Sequence, residues 1–314
     1  MSVDRIVSLL ASSTEILHGL GLWDRVVAVS HECDYPPGVD KKPRVTFTNI
    51  DTGASSAAID DQVRQSVQSQ KPLYRIDVDR LASLRPDLIV TQAQGDVCAV
   101  KYDDVVAAVR SKPALEGTMI VALNPATMED IFKDIERVGE ATEASEQAER
   151  FIRTLRDRVA FVQSATQGLK DDEKPRTVCI EWIDPVMVAA NWMPDLLRMA
   201  GGRCDLTRAG QPSGYSKWED IIAYDPEVIV VMPCGFDLRR TLEESRVLPG
   251  FDRWSEIAAV REGRVFAVDG NAYFNRAGPR IVDSLEILAA LLHPDPFAKQ
   301  REKYGHAWCA YTER

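Results

Sequence analysis

A supersecondary pattern that occurs once in each half of the chain constrains the fold most. Residues 81–90 (Leu-Ala-Ser-Leu-Arg-Pro-Asp-Leu-Ile-Val) and residues 221–230 (Ile-Ile-Ala-Tyr-Asp-Pro-Glu-Val-Ile-Val) share one order of features. Each has the end of a short helix, then a proline followed by an acidic residue, then an apolar strand. Strand-like runs alternate with helical periodicity on both sides of the pattern, which is typical of α/β architecture. The sequence therefore predicts an α/β protein with two similar halves.

The periodicity places strands and helices in both halves. The first helix should begin at a capping box in which Ser12 is the N-cap and Glu15 stands three residues later. The polar, turn-rich residues 44–60 should form a loop. Strands are predicted at 5–9, 26–30, 88–91, 119–123, 177–182, 228–232 and 265–268, and helices at 12–20, 59–70, 77–84, 103–110, 193–200, 218–223 and 280–292.

A long amphipathic segment separates the two halves. From residue 127 apolar residues recur at helical spacing for about 35 residues, with at most a break near Gly139. Such a segment between two α/β halves should act as a rigid spine. The predicted organisation is an N-terminal α/β lobe at 1–126, a connecting long helix at 127–170 and a C-terminal α/β lobe at 171–314.

Composition excludes several classes of function. The 314 residues are 45% hydrophobic and 27% charged, as expected for a folded chain of two-domain size. The 48 acidic residues exceed the 38 basic ones for a formal charge of −10, which argues against nucleic-acid binding. No apolar run is long enough for membrane insertion. The first residues lack the features of a secretory signal, so the sequence as it stands predicts a cytoplasmic protein, or a periplasmic one if a leader has been removed.

The loops after the predicted strands carry the candidate chemistry. In open α/β sheets ligands bind beyond the carboxyl ends of the strands. These loops hold aromatic, amide, acidic and thiol groups, which suit a large, flat, partly polar ligand in a concave space between the lobes. Motifs for phosphate, dinucleotide, serine-hydrolase and zinc-protease chemistry are missing from the sequence. The candidate ligand-binding residues are His31, Glu32, Cys33, Tyr35, Gln92, Cys98, Trp182, Trp192, Tyr215, Cys234, Phe236, Tyr273, Phe274 and Arg276.

The cysteines allow a metal site but do not require one. Six cysteines without a C-x-x-C pair predict reduced thiols, and Cys179 inside Thr-Val-Cys-Ile should be a small buried hydrophobe. Imidazole and thiolate together could hold a soft or borderline metal, although the spacing is not that of a zinc finger. Alternatively these groups pack at the lobe interface, Glu32 caps its loop, and Trp182 and Trp192 belong to the core. The candidate metal ligands are His31, Cys33, Cys98 and Cys234.

Four stretches carry a resemblance to a known family. They are Arg5-Ile-Val-Ser-Leu with Ser13-Thr14-Glu15-Ile, then Asp34-Tyr35-Pro36-Pro37, Leu84-Arg-Pro-Asp87-Leu-Ile-Val, and Arg276-Ala-Gly-Pro279-Arg280-Ile. With them the chain resembles the class III substrate-binding proteins of ABC importers, the cobalamin- and siderophore-binding family, and within it a leaderless "cobalamin-binding" subgroup. The resemblance implies two Rossmann-like lobes joined by a single long backbone helix, a ligand cleft between the lobes, and a monomer.

The resemblance also implies a function. It predicts a non-catalytic protein that binds cobalamin or a similar metal chelate, for ABC-type uptake with a possible permease partner or for intracellular handling. It implies that no cofactor is required, because the chelate is the ligand. Two alternatives stay open: binding of a metal ion, haem or siderophore through the His and Cys loops, and an enzyme with a thiol nucleophile and His31 as its base.

Some of the family's functional positions match residues of this chain. Arg276 matches an arginine beside the corrin, and Tyr273 and Phe274 match ring contacts near it. Trp182 matches an aromatic residue at a strand end of the second lobe. Glu32 stands where the vitamin B12 binder has an aromatic residue, and residues 51–70 are an insertion. Asp79 and Glu219 match two acidic residues that dock on permease arginines.

Overall fold

The computed structural model describes residues 3–93 and 99–312. These form two compact units. Unit 1 contains the described residues of Met1–Ala54, Ala58–Pro125 and Glu129–Thr154, and unit 2 contains Ser55–Ala57, Ala126–Met128 and the described residues of Leu155–Arg314. The lobe boundaries expected at residues 126 and 170 stay a prediction.

Unit 1 is built on a parallel sheet with the strand order β2-β1-β5-β6. Its central strands are buried on both faces, which explains their continuous runs of Val, Ile and Leu. The strands are β1 (Ile6–Ser8), β2 (Val26–Val29), β3 (Thr46–Thr48), β4 (Tyr74–Ile76), β5 (Leu88–Gln92) and β6 (Met119–Leu123). The helices in this part of the chain are α1 (Ala11–Gly19), α2 (Ser56–Gln68), α3 (Val78–Leu84), α4 (Tyr102–Ser111), α5 (Met128–Ala141) and α6 (Ser145–Thr166).

The start of α1 differs from the prediction. The helix begins at Ala11, and its N-cap residue, Leu10, makes no side-chain cap, so the predicted capping box at Ser12 is wrong. The hydroxyls near this end serve a buried network instead. Ser8 Oγ lies 2.6 Å from Ser13 Oγ and 2.7 Å from Thr14 Oγ1, and Ser13 Oγ donates to the Leu10 carbonyl. Buried hydroxyls require such partners, which is why they turn inward here.

Part of the loop predicted at residues 44–60 is a strand: β3 forms a two-stranded ribbon with β4. Strands β3 and β4 pair antiparallel, with Thr46 opposite Ile76 and Thr48 opposite Tyr74. The Asn49 amide donates to the Leu73 carbonyl at 2.9 Å, which closes the base of the ribbon. Each strand has only three residues, too few for alternation to be visible in the sequence.

The segment predicted as a long helix forms two consecutive helices, α5 and α6. The chain turns at residues 142–144, where Glu143 takes a left-handed conformation with φ of 57°, rather than at Gly139. Gly139 lies inside α5, and a Cβ there would come within 2.6 Å of Ala148 Cβ. The glycine therefore allows α5 and the first turns of α6 to approach each other closely.

Unit 2 is built on a mixed sheet with the strand order β12-β11-β10-β7-β8-β9. The three central strands are parallel, and the flanking strands β8, β9 and β12 pair antiparallel. The strands are β7 (Thr177–Trp182), β8 (Met187–Val188), β9 (Gly214–Tyr215), β10 (Val228–Val231), β11 (Val265–Val268) and β12 (Trp308–Ala310). The helices are α7 (Met193–Met199), α8 (Trp218–Tyr224), α9 (Leu238–Glu244), α10 (Ala258–Arg261), α11 (Ile281–Leu292) and α12 (Ala298–Lys303).

The internal repeat is confirmed at the level of the backbone. Helices α3 and α8 both end on a left-handed residue, Arg85 with φ of 43° and Asp225 with φ of 45°. A proline follows each of them, and then a buried parallel strand. Leu81 and Ile221, at equivalent positions, are both fully buried. The predicted α/β class is therefore confirmed in both units. Within the described ranges, no helix has the length and apolar character needed to cross a membrane.

A network of polar side chains joins α6 to α11 and to Tyr304, the residue after α12, inside unit 2. Arg158 Nη2 lies 2.6 Å from Asp283 Oδ1 and 2.8 Å from Glu286 Oε2. The Tyr304 hydroxyl donates to Glu286 Oε2 at 2.6 Å. Burial alone would raise the pKa of Glu286, but the hydrogen bonds from Arg158 and Tyr304 outweigh it and the pKa is lowered. Glu286 is therefore held as a carboxylate.

Replacing Arg158 with methionine should destabilise unit 2. The substitution Arg158→Met leaves the mostly buried carboxylates of Asp283 and Glu286 without their main cation. This loss should lower the free energy of unfolding by about 3 kcal/mol. Urea unfolding followed by tryptophan fluorescence measures this as a lower midpoint. Arg239→Ala is the matched control, because it removes an exposed helical pair with Glu243 that contributes less than about 0.5 kcal/mol. Equal midpoints for the two variants would contradict the expectation.

Asp134 of α5 should make the stability of unit 1 depend on pH. Burial raises the pKa of Asp134 to about 6, although Arg137 offsets part of this effect. The folded state thus keeps a proton that the unfolded state has lost, and the free energy of unfolding falls as the pH rises from about 4 to 6. In Asp134→Asn this fall should be smaller, because Glu181 and Asp269 also have raised pKa values, and thermal unfolding at several pH values would show the difference. Asp103→Asn, at an exposed position, should keep it.

Candidate ligand-binding site

The carboxyl ends of β7, β10 and β11 meet at one edge of the unit 2 sheet. Because these strands are parallel neighbours, the loops that follow them lie side by side. We call this set the unit 2 loop cluster, formed by Glu181 and Trp182, by Cys234 and Phe236, and by residues 269–276.

Hydrogen bonds to the main chain join the three loops. The Cys234 amide donates to the Glu181 carbonyl at 3.2 Å, and the Asn271 amide donates to the Phe236 carbonyl at 2.9 Å. Asn275 Nδ2 donates to the Met232 carbonyl at 2.8 Å. The side chains of the cluster therefore stand on a connected main-chain framework.

Trp182 is the half-buried aromatic residue at the end of β7. Its ring centroid lies 5.4 Å from that of Phe236, at an interplanar angle of 55°. Phe236 is itself buried, and the Arg240 guanidinium stands 3.7 Å from its ring centroid. Phe236 therefore packs against Trp182 from the interior in this structure, and its own ring is not exposed to solvent.

Trp192 and Phe274 are also interior residues. Phe274 is fully buried and Trp192 is 8% exposed. Trp192 Nε1 donates to the Phe274 carbonyl at 2.7 Å, and the Phe274 amide donates to Ser284 Oγ at 2.8 Å. Phe274 has a φ of 66°, a strained conformation that these bonds hold in place. In this structure both residues fix the course of residues 269–276, and the buried position agrees with the core alternative for Trp192. Their contact with ligand stays a prediction.

The polar part of the cluster centres on Arg276. Arg276 Nη2 donates to Asn271 Oδ1 at 2.9 Å, and Asp269 Oδ1 accepts from the amides of Asn271 and Ala272. Burial raises the pKa of Asp269, and the two amides and Arg276 offset part of this effect. The half-buried guanidinium suits recognition of carboxylate or amide oxygens. Tyr273 is half-buried beside it, with its hydroxyl 3.3 Å from His306 Nε2.

Glu181 is a member of the cluster that the sequence did not single out. Ser213 Oγ donates to Glu181 Oε2 at 2.5 Å, and burial raises the pKa of this carboxyl. The Ala190 amide donates to the same Ser213 hydroxyl at 2.9 Å. Glu181 therefore ties β7 to the segment before β9. Within β9, the predicted residue Tyr215 is largely exposed.

Replacing Gly270 with alanine should displace the loop after β11. A Cβ at this position would lie 2.3 Å from the Pro233 carbonyl oxygen, so the main chain must move. We expect Gly270→Ala to cost about 1–3 kcal/mol of stability and to weaken ligand binding with it. Gly214→Ala is the control, because the space around Gly214 is open. Urea unfolding of both variants checks this, and an unchanged midpoint for Gly270→Ala would contradict it.

A second set of loops follows the parallel strands β2 and β5 of unit 1, on either side of β1. We call it the unit 1 loop cluster, formed by residues 30–35 and Gln92. Arg44 Nη1 donates to the carbonyls of Ser30 and Cys33 at 2.6 Å each, which holds the first of these loops. Gln92 is buried at the end of β5. Cys98 lies outside the described residues.

His31 and Glu32 are neighbours in this cluster. His31 Nδ1 lies 2.7 Å from Thr46 Oγ1, and Nε2 lies 3.0 Å from Glu32 Oε1 without the alignment of a hydrogen bond. The His31 ring centroid is 5.5 Å from that of Tyr74. The partners Thr46 and Tyr74 come from the β3–β4 ribbon, and no sequence pattern indicated either of them.

Cys33 and Tyr35 complete the loop in different environments. Cys33 is buried, with its Sγ 3.1 Å from Thr14 Oγ1. Tyr35 is half-buried, packs edge-on against His18 at 5.4 Å, and precedes Pro36 through a cis peptide bond. The loop therefore presents His31 and Glu32 more openly than its thiol.

In the described part of the chain, the cysteines do not belong to any cluster of three or more potential metal ligands. Across residues 3–93 and 99–312, no three His, Cys, Asp or Glu side chains are grouped as metal ligands would be. Cys234 is exposed, and direct metal binding by His31, Cys33, Cys98 and Cys234 stays a prediction. The prediction for Cys179 is confirmed: it is buried in β7, and burial raises the pKa of its thiol.

The two predicted docking residues occupy equivalent positions of the repeat. Asp79 and Glu219 lie in the first turns of α3 and α8, two residues before Leu81 and Ile221 respectively, and both are exposed. Lys112 Nζ lies 2.7 Å from Asp79 Oδ1, and this hydrogen bond lowers the pKa of the carboxyl. Asp79 therefore carries a negative charge near neutral pH.

Comparison with known proteins agrees with this architecture. A family profile described as "Periplasmic binding protein" matches residues 6–272, so the chain belongs to that family. An uncharacterized ABC transporter substrate-binding lipoprotein of Bacillus subtilis, YvrC, is 26% identical over 93% of this chain and 81% of its own length. The vitamin B12-binding protein of Vibrio parahaemolyticus is 22% identical over 90% of this chain and 87% of its own.

A solved structure supports the same fold. The periplasmic heme-binding protein RhuT from Roseiflexus, in its apo form, superposes with a TM-score of 0.68 at 20% identity. The match covers 94% of this chain and all of that one. The family match makes the chain a member of a family of binding proteins.

Proposed function

We propose that this chain binds a corrinoid such as cobalamin, or a similar metal chelate, as the substrate-binding protein of an ABC-type importer. The observation that carries the proposal is the unit 2 loop cluster. There the ends of three parallel strands, joined through their main chains, hold Trp182, Tyr273 and Arg276 on one framework. The similarity to a vitamin B12-binding protein along 90% of the chain supports the same ligand class.

The chemistry of these side chains suits a corrinoid. A corrin ring has broad apolar faces and a rim of amide groups. Indole and phenol rings bury large apolar areas against such a face while a polar edge stays near water. The Arg276 guanidinium and the Asn271 amide can hydrogen-bond to oxygen atoms on the rim. Together they provide an apolar surface and a polar anchor within one loop cluster.

The acidic residues of the repeat support a partner of basic surface. Asp79 and Glu219 lie on exposed first turns at equivalent positions of two helices, and the charge of Asp79 is maintained by Lys112. A permease with arginines at matching positions would complement them. Intracellular handling of the same ligand, without a permease, is the alternative use of the same cluster.

Haem is the second candidate ligand. The observation that favours it is the imidazole of His31, because an imidazole is a common ligand of haem iron. A titration followed by visible absorbance separates the two ligands, since haem and cobalamin have distinct visible spectra.

Titration with cyanocobalamin, hydroxocobalamin and haemin tests the proposal. We expect saturable binding of the cobalamins at micromolar concentration or tighter. Arg276→Ala should weaken binding about 10-fold or more, because a hydrogen bond to a charged group contributes about 1.5–3 kcal/mol. Arg246→Ala, at an exposed position, is the control and should bind as the wild type does. Binding of haemin alone would transfer the proposal to haem, and binding of none would overturn it.

A further inference from the structure

The environment of His31 selects one tautomer of its imidazole. The His31 amide donates to Thr46 Oγ1 at 3.0 Å, and Nδ1 lies 2.7 Å from the same oxygen. Thr46 Oγ1 in turn donates its only proton to Ser30 Oγ at 3.0 Å. Since that proton is committed, the short contact with His31 requires Nδ1 to be the donor. A neutral His31 therefore carries its lone pair on Nε2.

The ring is also held in place. Thr46 and Ser30 are buried, so neither hydroxyl exchanges its partner for bulk water. Ser30 Oγ also accepts from the Glu32 amide at 3.3 Å. Tyr74 packs against the imidazole at 5.5 Å. Because Thr46 and Tyr74 stand opposite Ile76 and Thr48 in the paired strands β3 and β4, one small ribbon fixes both the orientation and the tautomer.

Glu32 covers the nitrogen that the ribbon leaves available. Its Oε1 lies 3.0 Å from His31 Nε2, while its own side chain is 38% exposed. Because the Glu32 side chain is partly exposed, its carboxylate can rotate toward water without losing a buried environment. The nitrogen is thus shielded in this conformation and becomes accessible when Glu32 rotates away.

A neutral imidazole whose other nitrogen donates to a fixed oxygen is the arrangement by which proteins orient a metal ligand. We infer that His31 Nε2 is an axial ligand of the metal in the bound chelate and that Thr46 is its positioning residue. With a corrinoid that carries an exchangeable water, the cobalt–water bond breaks, a cobalt–nitrogen bond forms, and water leaves. The oxidation state of cobalt does not change. This inference rests on the proposed function.

Two cobalamins separate ring binding from axial ligation. Hydroxocobalamin carries an axial ligand that an imidazole displaces, whereas cyanocobalamin carries a tightly held cyanide. We expect the wild type to bind both and to shift the visible bands of hydroxocobalamin only. His31→Ala should keep its affinity for cyanocobalamin and lose the shift.

Thr46→Val tests the positioning role with a side chain of nearly the same shape. It should lower the affinity for hydroxocobalamin about 10–100-fold, the usual effect of removing such a supporting group, and leave cyanocobalamin binding unchanged. Thr46→Ser should restore the wild-type shift. Thr48→Val is the matched control on the same strand, because the Thr48 hydroxyl contacts Leu73 and Ile50 rather than His31.

The outcomes distinguish axial ligation by His31 from binding of the corrin ring itself. Binding of both cobalamins without any band shift overturns axial ligation and leaves the proposed function standing. A shift that persists in His31→Ala also overturns it, since another group would then be the ligand. A Thr46→Val protein that behaves like wild type overturns the role of Thr46. If neither cobalamin binds, the proposed function and the inference fall together.

Discussion

Parallel strand pairing is the constraint on which both loop clusters depend. Parallel neighbours place all of their carboxyl ends at the same edge of a sheet, so residues far apart in sequence become neighbours there. In unit 2 this brings Trp182, Phe236 and Arg276 onto adjoining loops, although they are up to 94 positions apart in sequence. The apolar residues of β7, β10 and β11 are buried on both faces and supply the driving force for that pairing.

The aromatic residues of the candidate site differ in burial: some are interior and support the loops, whereas Trp182 and Tyr273 are half-buried. Phe236, Trp192 and Phe274 are interior, and they hold Trp182 and the loop that carries Arg276. A loop supported in this way keeps its geometry without a ligand, which lowers the entropy cost of binding. Unit 1 relies on polar support instead, since the His31 loop is held by Arg44 and by the buried hydroxyls of Ser30 and Thr46.

The sequence predicted the α/β class, the repeat and most long elements, because burial on both faces and helical periodicity leave clear patterns over several residues. Strands β6, β7 and β11 lie at the predicted positions. The prediction failed where tertiary contacts decide the structure. The hydroxyls of Ser8, Ser13 and Thr14 form a buried network instead of a helix cap, and Thr46–Thr48 form a strand. Of the site, the loops were foreseen because they follow strands. Neither the inward positions of Phe236 and Phe274 nor the link from Thr46 to His31 has a local signature.

The edges of the unit 2 sheet have a consequence for solubility. Both outermost strands are very short, with two residues in β9 and three in β12. Short edge strands offer few unpaired main-chain groups to another chain, and so they protect a sheet from edge-to-edge aggregation. Strand β12 also pairs with β11, whose four residues Val265–Val268 are all buried and apolar. A chain that lost β12 would leave β11 as an unpaired, apolar edge strand that could pair with another chain. Strand β12 therefore protects the sheet against self-association.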